Sequence, residues 1–400
     1  MKKNIVFMVM VVLLCSCGKV QDATNTTNAD PDQNNVQASS TTRTHPADVA
    51  IALGNMAVVA AANWIDPIGS LASLNLLQNY VATLARATTD SSDLVIKSFL
   101  NFIFVINRFG ADTIQVVDPV TYNVIANFSV GSASNPHDIW VVSDTKAYVS
   151  RFNAESDADN NDDLLIVDPL TGEQFGSIDL TAYTSAAGDG LARTTQMVAV
   201  GNNLFVCLTD LPQDLLQGAN ANGKVVVIDT QTDEVVAVVE LAGRNPADIT
   251  YSPLTGLVYI TNAGVYDNFD TDITDEFGGI EVIDPQTLAT LGIAIDDLDL
   301  GGYPTEIRLA SASLGFVIVD GLYLASFNPT TYEVLNNSLY TTEGTYLPDF
   351  TIAENGDLLV TERSQTDPGI VVLDSSDGSL KAGPIPVGAS PASITFVDIE

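Results

Sequence analysis

The amino-acid sequence predicts an all-β protein, more specifically a β-propeller, in which a four-stranded unit is repeated around a ring. Three observations lead to this fold class. Short valine- and isoleucine-rich segments recur at intervals of roughly forty to sixty residues, as expected for one repeat per blade. Most of these segments end in an aspartate followed by a turn residue. Their apolar runs are continuous, which is typical of strands that neighbouring sheets cover on both faces.

Residues 244–284 contain the clearest copy of the unit. Three short strands with a turn after each can be read there, and a weaker fourth strand follows at 288–295. We name the strands A to D from the centre of the ring to its rim. The candidates for strand A begin near Leu94, Pro136, Thr195, Pro246, Pro304 and Pro348. Those for strand B are 103–106, 147–149, 204–207, 258–260, 316–318 and 358–360. Those for strand C are 114–119, 164–169, 225–230, 280–285, 322–329 and 370–375.

The N-terminus has the features of an export signal. A basic start is followed by an apolar run at 5–14 that is too short to span a bilayer, and then by cysteine, serine and Cys17. This pattern resembles the bacterial lipoprotein signal, which implies cleavage before Cys17 and a lipid on that residue. An ordinary secretion signal cut near Ser16 is the alternative. Gly18 in place of an aspartate implies the outer membrane if the source is Gram-negative.

The chain divides into three parts. These are a signal peptide at 1–16, the lipidated cysteine with a disordered tether at 17–45, and a propeller domain at 46–400. The tether is polar throughout and holds the domain roughly 30 Å from its anchor on average. Cys207 is the only cysteine in the propeller domain, so a disulfide within that domain is excluded.

The first blade is the least regular part of the pattern. An apolar stretch at 49–62 is broken by Gly54, so it predicts a buried hairpin and not a transmembrane helix, which needs about twenty apolar residues. Residues 71–85 fit either a helix or the outer strands of an eroded blade.

The C-terminus is predicted to close the ring. Residues 390–395 have the features of strand A, but no strands B to D follow them. This last strand therefore joins the strands near 56–86, which gives seven blades of four antiparallel strands. Residues 46–49 also resemble strand A, so a ring of eight blades is the alternative.

Several segments match one known family of propellers. Residues 130–131, 226–232, 245–248 and 257–262 resemble the repeats of the YVTN-repeat propellers, seven-bladed secreted and cell-surface proteins of the surface-layer type. The resemblance extends from about residue 46 to the C-terminus. It implies the fold and a place at the cell surface. It implies no activity, because the family includes members with no assigned activity.

An aspartate recurs at the end of strand C. A carboxylate at this position can accept backbone N–H groups across the turn to strand D. We therefore expect a structural role and not catalysis for Asp118, Asp168, Asp229, Asp284 and Asp374.

The long loops are predicted to lie on one face of the ring. In a four-stranded antiparallel blade, the B–C and D–A connections emerge at the same end. The long connections here are of these two kinds, at 153–163, 181–193, 210–223, 263–279 and 296–303. This face is rich in Asp and Glu.

Two acidic segments of these loops are candidate calcium sites. Oxygen ligands at alternate positions are typical of the start of a calcium-binding loop. Solvated acidic loops without a metal are the alternative interpretation. The candidates are Asp157, Asp159, Asn161 and Asp163 in one loop, and Asp267, Asp270, Asp272 and Asp275 in the other.

A set of basic residues is predicted at the central channel. Only a few arginines are present, yet five of them follow a strand B or precede a strand A, which places them towards the channel mouth. They could bind an anionic group at the centre, or they could only pair with the many carboxylates. The candidate ligand-binding residues are Arg108, His137, Asp138, Arg151, Arg193, Arg244, Asp248, Glu306 and Arg363.

Composition and motifs favour binding over catalysis. The chain has 15 basic and 50 acidic residues and a net charge of −35, which argues against binding of nucleic acid or of anionic lipid surfaces. No nucleophile motif, zinc motif or haem-attachment motif is present. The first hypothesis is a lipid-anchored scaffold whose acidic face binds a protein, a cell-surface polymer or a cation, with no certain cofactor. The second is a lactonase-like hydrolase or lyase with a calcium- or arginine-lined pocket.

Overall fold

The computed structural model describes residues 51–52, 55–63, 67–153, 163–186, 188, 190–211, 221–267, 270–271 and 277–397. For 51–52, 266–267 and 270–271 it describes the backbone only. The predicted signal peptide, Cys17 and the tether lie outside the described residues. So do five of the candidate calcium ligands, which are Asp157, Asp159, Asn161, Asp272 and Asp275.

The described strands form seven sheets of four antiparallel strands, and each sheet is one blade. After β1 (Ile51–Ala52), blade 1 contributes β2 (Met56–Ala62), β3 (Gly69–Asn75) and β4 (Val81–Thr88). Blade 2 consists of β5 (Leu94–Phe99), β6 (Phe102–Asn107), β7 (Thr113–Val117) and β8 (Val124–Ser129). Blade 3 consists of β9 (Pro136–Ser143), β10 (Lys146–Arg151), β11 (Leu164–Val167) and β12 (Gln174–Ile178).

The remaining blades repeat this order. Blade 4 consists of β13 (Thr194–Val200), β14 (Asn203–Leu208), β15 (Lys224–Asp229) and β16 (Glu234–Glu240). Blade 5 consists of β17 (Pro246–Ser252), β18 (Leu257–Ala263), β21 (Gly278–Asp284) and β22 (Ala289–Asp296), with the small hairpin β19 (Tyr266–Asp267) and β20 (Asp270–Thr271) between its second and third strands. Blade 6 consists of β23 (Pro304–Ser311), β24 (Leu314–Val319), β25 (Tyr323–Phe327) and β26 (Val334–Thr341). Blade 7 consists of β27 (Phe350–Ala353), β28 (Asp357–Glu362), β29 (Gly369–Asp374) and β30 (Leu380–Ile385).

The innermost strand of blade 1 comes from the other end of the chain. β31 (Ser390–Val397) pairs antiparallel with β2, from Met56 opposite Val397 to Ala62 opposite Ser390. The innermost strands of successive blades contact one another all the way around the ring. The predicted seven-bladed propeller with closure by the C-terminal strand is therefore confirmed, and the alternative of eight blades is wrong.

The uncertain first blade is made of strands. Residues 71–85 contain most of β3, one turn of 3-10 helix at Leu76–Gln78, and the first five residues of β4, so the alternative of two outer strands is confirmed, and the alternative of a helix is wrong. The two residues of β1 pair in parallel with β27, with Ile51 opposite Ile352, on the channel side of blade 7. Residues 46–49, the competing strand A, lie outside the described residues.

The core lies between the blades, because each sheet packs face to face against its two neighbours. In β6, Ile103, Phe104, Val105 and Ile106 are fully buried, as the continuous apolar runs predicted. The outermost strands instead alternate between exposed and half-buried residues, as in β16. Cys207 is fully buried in β14, and burial raises the pKa of its thiol, so it is a packing residue.

Buried carboxylates hold the loops that lead from one blade into the next. Asp112 accepts the backbone N–H of Asn135 at 2.9 Å, and Glu281 accepts that of Gly243 at 3.0 Å. Both side chains are almost fully buried. The same role is filled by Asp163 for Leu180, Asp210 for Ser185, Asp320 for Tyr303 and Glu362 for Gly344. At these six positions a carboxyl group, and not water, accepts the backbone N–H group of a loop between blades.

In five of the seven blades, an aspartate at the end of the third strand has the predicted structural role. Asp118 accepts the backbone N–H groups of Val120 at 2.9 Å and Thr121 at 2.7 Å. These hydrogen bonds lower the pKa of Asp118. Asn328 replaces the aspartate in blade 6. The equivalent turns contain Asp168, Asp229, Asp284 and Asp374.

Helices are few and short in the described residues. α1 (Asp297–Leu300) is one turn long and starts at Asp296, whose side chain accepts the N–H of Leu298 at 2.9 Å. Within the described ranges, no helix has the length and apolar character needed to cross a membrane.

Candidate functional site

The loop-bearing face is where the innermost strands begin and the second strands end. The long connections β10–β11, β14–β15 and β18–β21 open on this face, as do β12–β13 and β22–β23. Candidate ligand-binding residues therefore come from the first two strands of several blades. The structure separates them into three groups. The inner belt consists of Asp138, Asp248 and Glu306 with their partners on the innermost strands. The arginine cluster consists of Arg108, His137, Arg193 and Arg363 with the aromatic residues Phe152 and Tyr346, and Arg151 and Arg244 lie elsewhere.

Asp138 belongs to the inner belt. It is fully buried near the start of β9 and accepts the N–H of Ile139 at 2.7 Å and that of Met197, in blade 4, at 2.8 Å. Lys97 of blade 2 forms an ion pair with it at 2.7 Å. Asp138 thus links three consecutive blades. Both of its carboxylate oxygens already interact with N–H groups or with the Lys97 ammonium group of the protein.

Equivalent residues repeat this contact around the ring. Asp248 accepts the N–H of Ile307 at 3.0 Å, and Asp349 accepts that of Ile394 at 3.0 Å. Ser393 accepts the N–H of Ile96 at 3.3 Å. Each acceptor lies at the same position of its innermost strand, and each donor follows that position in the next blade. This belt explains the recurrence of an aspartate near the start of strand A.

Arg308 is the centre of a charged cluster in the channel. Its guanidinium lies 2.7 Å from Asp248, 3.3 Å from Asp349 and 3.4 Å from Glu306. It therefore connects blades 5, 6 and 7. The sequence analysis predicted Asp248 and Glu306 at the channel but missed Arg308. Its position two residues after Glu306 on one strand is the signal that could have found it, because alternate residues share a face.

Within the charged cluster around Arg308, Glu306 has a raised pKa. Burial and the charges of Asp248 and Asp349 raise the pKa of its carboxyl well above the ordinary value, and Arg308 only partly offsets this effect. One guanidinium thus faces three carboxyl groups. Protonation of Glu306 relieves part of the repulsion among them.

The arginine cluster lies on the loop-bearing side. Arg108 follows β6 and donates from Nε at 2.9 Å and Nη2 at 2.6 Å to one oxygen of Asp93. The next residue, Phe109, donates its N–H to the side chain of Asn135 at 3.3 Å, so this end of blade 2 lies against the loop that enters blade 3.

His137 forms one aromatic side of the arginine cluster. Its ring stacks on Phe152 with a centroid distance of 4.6 Å and an interplanar angle of 8°. The guanidinium of Arg193 lies 5.0 Å from the centroid of the same phenyl ring and donates to Asn153. Burial and the charges of Arg108 and Arg193 lower the pKa of His137 well below its ordinary value. His137 is therefore neutral at pH 7.

Arg363 and Tyr346 form the opposite side of the cluster. Arg363 follows β28, donates from Nε to the carbonyl of Pro391 at 3.0 Å, and lies 5.9 Å from the centroid of the Tyr346 ring. Burial lowers the pKa of Arg363 to about 10. Gly321 allows this packing, since a Cβ there would lie 1.9 Å from the Tyr346 ring.

Two predicted arginines lie apart from this cluster. Arg151 is 1% exposed and donates to the carbonyl of Val130 at 3.3 Å. Arg244 stacks on Phe277, 3.6 Å from the ring centroid, and donates to Asn222 at 3.3 Å. Arg151 is therefore buried inside the ring, where it binds a backbone carbonyl. Arg244 lies against Phe277, next to the third strand of blade 5.

The described candidate calcium ligands do not form a cage. Asp163 is buried and accepts the N–H of Leu180 at 2.7 Å. Asp267 and Asp270 face each other in the β19–β20 hairpin, where only the backbone is described. Among the described residues, no three His, Cys, Asp or Glu side chains are grouped to hold a metal ion. Calcium binding in these loops stays a prediction.

Replacing Asp163 by asparagine is expected to flatten the pH dependence of stability. Burial raises the pKa of Asp163 from 3.8 to about 7 in the folded protein. Its contribution to stability is therefore present at low pH and is lost as the pH rises towards 7, by on the order of 3 kcal/mol between pH 5 and pH 8. Asparagine can accept the Leu180 N–H without a charge. Urea unfolding at both pH values measures the effect.

The control for this substitution is Asp144→Asn, at an exposed turn position. It is expected to keep the wild-type dependence on pH. Equal slopes of stability against pH for the wild type and Asp163→Asn would contradict the assignment of a raised pKa to Asp163.

Comparisons with known proteins agree on the fold. No protein-family profile matches the chain, and no curated protein is similar to it in sequence. Among solved structures, a putative 6-phosphogluconolactonase from Bacteroides fragilis NCTC 9343 has a TM-score of 0.59 at 13% identity, over 86% of this chain and 98% of that one. Dihydro-heme d1 dehydrogenase NirN has a TM-score of 0.53 at 15% identity, over 87% and 76%. Apo AztD from Citrobacter koseri has a TM-score of 0.51 at 13% identity, over 86% and 98%.

These likenesses establish architecture only. At 13–15% identity they identify a shared β-propeller and do not transfer an activity. The functional interpretation therefore depends on the arginine cluster itself, which consists of Arg108, His137, Phe152, Arg193, Tyr346 and Arg363.

Proposed function

We propose that this protein is a binding module of the bacterial cell envelope, held at the membrane by a lipid on Cys17. The sequence around Cys17 supports the anchor, and the YVTN-like repeats support exposure at the cell surface. If the source is Gram-negative, the outer membrane is the proposed location. The propeller is the rigid scaffold, and its loop-bearing face carries the binding site.

The arginine cluster is the observation that carries this proposal. Arg108 and Arg363 follow the second strands of blades 2 and 7, on the loop-bearing face and on either side of blade 1. Two aromatic surfaces flank them, the His137–Phe152 stack and Tyr346. A partly exposed basic and aromatic surface between loops is suited to ligand binding. We therefore expect a bound partner to contact these basic and aromatic side chains as well as the acidic loops.

Catalysis has weaker support in the described residues. His137 stacks on Phe152 and makes no hydrogen bond to any described group, so it has no nucleophile to activate. Its pKa is also well below the ordinary value, which disfavours a role as general acid at pH 7.

A hydrolase or lyase is the second candidate function, and Glu306 is the observation that favours it. Its carboxyl lies 3.4 Å from the guanidinium of Arg308, and burial and the charges of Asp248 and Asp349 raise its pKa. A carboxyl group that stays protonated near pH 7 has the chemistry of a general acid. If the protein hydrolyses or cleaves a ligand that it binds, Glu306→Gln is expected to lose that turnover and to keep binding the ligand. This result would favour the enzyme over the binding module.

Membrane anchorage is expected to disappear in Cys17→Ser. Lipidation needs the thiol, and stable membrane association by lipid chains needs the acyl groups attached there. The measurement is the fraction of protein in the membrane pellet after expression in a bacterium, with Cys207→Ser as the matched control. Equal pellet fractions for the wild type and Cys17→Ser would overturn the envelope anchor.

Ligand binding is tested on the same full-length protein in detergent micelles. Thermal shifts with a panel of charged and neutral small molecules are expected to identify binders whose effect is lost when Tyr346 is replaced by alanine. If every binder acts equally on Tyr346→Ala, the site lies elsewhere and the proposed site is wrong.

A further inference from the structure

The short strand β1 lies inside the central channel. β27 is the innermost strand of blade 7 and has β28 on its other edge, so the edge that pairs with β1 faces the channel. The pairing is parallel, with Ile51 opposite Ile352 and Ala52 opposite Ala353. In the described part of the ring, no other innermost strand has an additional strand on this edge. Blade 7 therefore differs from the other blades by a strand from the N-terminal side of the chain.

The hydrogen bonds of β27 explain why a strand can pair with its channel edge. Thr361 of β28 donates its N–H to the carbonyl of Asp349 at 3.0 Å. Because hydrogen-bonded and non-bonded pairs alternate between antiparallel strands, the peptide groups of Thr351 also face β28, and those of Phe350 and Ile352 face the channel. The carboxylate of Asp349 accepts the N–H of Phe350 at 2.8 Å. The carbonyl of Phe350 and both peptide groups of Ile352 are thus placed to pair with a strand in the channel.

The direction of β1 shows from which side the chain enters the channel. The innermost strands begin at the loop-bearing face and end at the opposite face. Since β1 is parallel to β27, Ile51 is nearer the loop-bearing face than Ala52 is. Only residues 53–55 separate Ala52 from the start of β2, which pairs with the end of β31 at the opposite face. The chain therefore runs down the channel before it forms blade 1.

The length of the preceding segment fits the rest of this edge. Ile352 is the third residue of β27, so the loop-bearing end of β27 lies about 7 Å further along the channel at 3.3 Å per residue. Residues 46–50 span about 16 Å when extended. They are joined covalently to β1, so their effective concentration at this edge is high. Residues 46–49 also resemble a strand A in sequence, which favours an extended conformation.

We propose that residues 46–50 continue β1 along the channel edge of β27, so that the chain leaves the propeller at the loop-bearing mouth of the channel. The occupant of this edge is the protein's own N-terminal segment and not a separate peptide. If Cys17 carries the proposed lipid, the tether then connects the loop-bearing face to the membrane. This orientation rests on the proposed function, but the path through the channel does not. A partner of the loop-bearing face must therefore reach the space between the ring and the membrane.

Distances between spin labels test the path through the channel. One label is placed at exposed positions on either side of β9, at Ser132→Cys on the loop-bearing face or at Thr145→Cys on the opposite face. The other label is at Ala47→Cys in the full-length chain in detergent micelles. The native cysteines are replaced, as Cys15→Ser, Cys17→Ser and Cys207→Ala. We expect a shorter distance from residue 47 to residue 132 than to residue 145. The reverse order, or equal distances, would refute the proposed path.

Hydrogen exchange tests the pairing of β1 with β27. Ala52→Pro removes an N–H group from β1 and disrupts the pairing. We expect the amide of Ile352 to exchange at least tenfold faster in this variant than in the wild type. The amide of Tyr251, at the equivalent position of blade 5, should exchange equally in both proteins. Ala23→Pro, in the tether, is the matched substitution and should leave both amides unchanged. Unaltered exchange at Ile352 in Ala52→Pro would show that β1 does not cover this edge.

Energy transfer on vesicles tests the orientation. The lipidated protein carries Cys207→Ala, a deletion of residues 20–40 that shortens the tether, and a donor dye at Ser132→Cys or Thr145→Cys. The phosphatidylcholine vesicles contain an acceptor dye on their headgroups. We expect more transfer from residue 132 than from residue 145. Equal transfer, or more from residue 145, would contradict the orientation. Failure of the lipidated protein to bind vesicles would overturn the proposed anchor and the orientation with it, and the spin-label distances would still decide the path through the channel.

Discussion

A chain that stops at Ala389 is expected to lose cooperative unfolding altogether. The truncation removes β31, which pairs with β2 along its full length and buries Ile394 and Phe396. It also removes the N–H group that Asp349 binds across the ring closure. The loss exceeds the net stability of a typical domain, about 5–15 kcal/mol. Circular dichroism during heating and binding of a hydrophobic dye measure the outcome.

The matched control for this truncation is a chain that stops at Val397. It keeps every residue of β31 and removes only the last three residues of the sequence. Its melting curve is expected to overlay that of the complete chain. A sharp wild-type transition in the chain that stops at Ala389 would contradict ring closure by the C-terminal strand.

Replacing Arg308 by methionine is expected to cause the second largest loss of stability. The guanidinium compensates three carboxyl groups from blades 5, 6 and 7, on Asp248, Glu306 and Asp349. Removing one partner of a largely buried ionic cluster costs about 3–5 kcal/mol because the remaining charges stay desolvated. Methionine retains much of the side-chain volume, so the loss is electrostatic. Equilibrium unfolding in urea at pH 7 measures it.

The loss in Arg308→Met is expected to shrink as the pH falls. Without the guanidinium the carboxyl groups of the folded protein bind protons more readily than those of the unfolded chain, so acidification favours the folded state. The comparison is the difference in unfolding free energy from the wild type at pH 7 and pH 5. Arg86→Met, at an exposed position over Tyr122, is the control and should cost little at either pH. A constant loss across pH would contradict the electrostatic account.

Much of the fold could be predicted because it depends on local patterns. The valine-rich third strands end in aspartates that cap the following turn, and both features are visible within one repeat. Ring closure followed from a C-terminal strand that has no successors in the chain. The eroded first blade was harder to interpret, because residues 71–85 lack the continuous apolar run of the other blades and β4 is mostly exposed.

The site could be predicted only in part. Strand order placed Arg108, His137, Arg193 and Arg363 on one face; in the structure His137 and Arg193 lie against Phe152, and Arg363 lies against Tyr346. Their partners Phe152 and Tyr346 carried no signal, because a single aromatic residue beside a strand usually belongs to the core. Arg308, Lys97 and the rest of the inner belt depend on contacts between blades, which a repeat pattern does not specify.

The composition does not show where the individual carboxyl groups of the chain lie. A net charge of −35 predicted an acidic surface, yet Asp112, Asp163, Asp210 and Glu281 are buried and bind backbone N–H groups. Charge counts do not distinguish carboxylates that replace water as hydrogen-bond acceptors from those that face solvent.

The pairing of β2 with β31 has a consequence for biosynthesis. The second strand of blade 1 is translated before blades 2 to 7, but its partner β31 is translated after all of them. Contacts this distant in sequence form slowly, because the intervening chain must first be ordered. Six blades can therefore assemble on the growing polypeptide while blade 1 waits with an unpaired edge. We expect premature termination to yield a chain prone to aggregation and degradation, and not a smaller working protein.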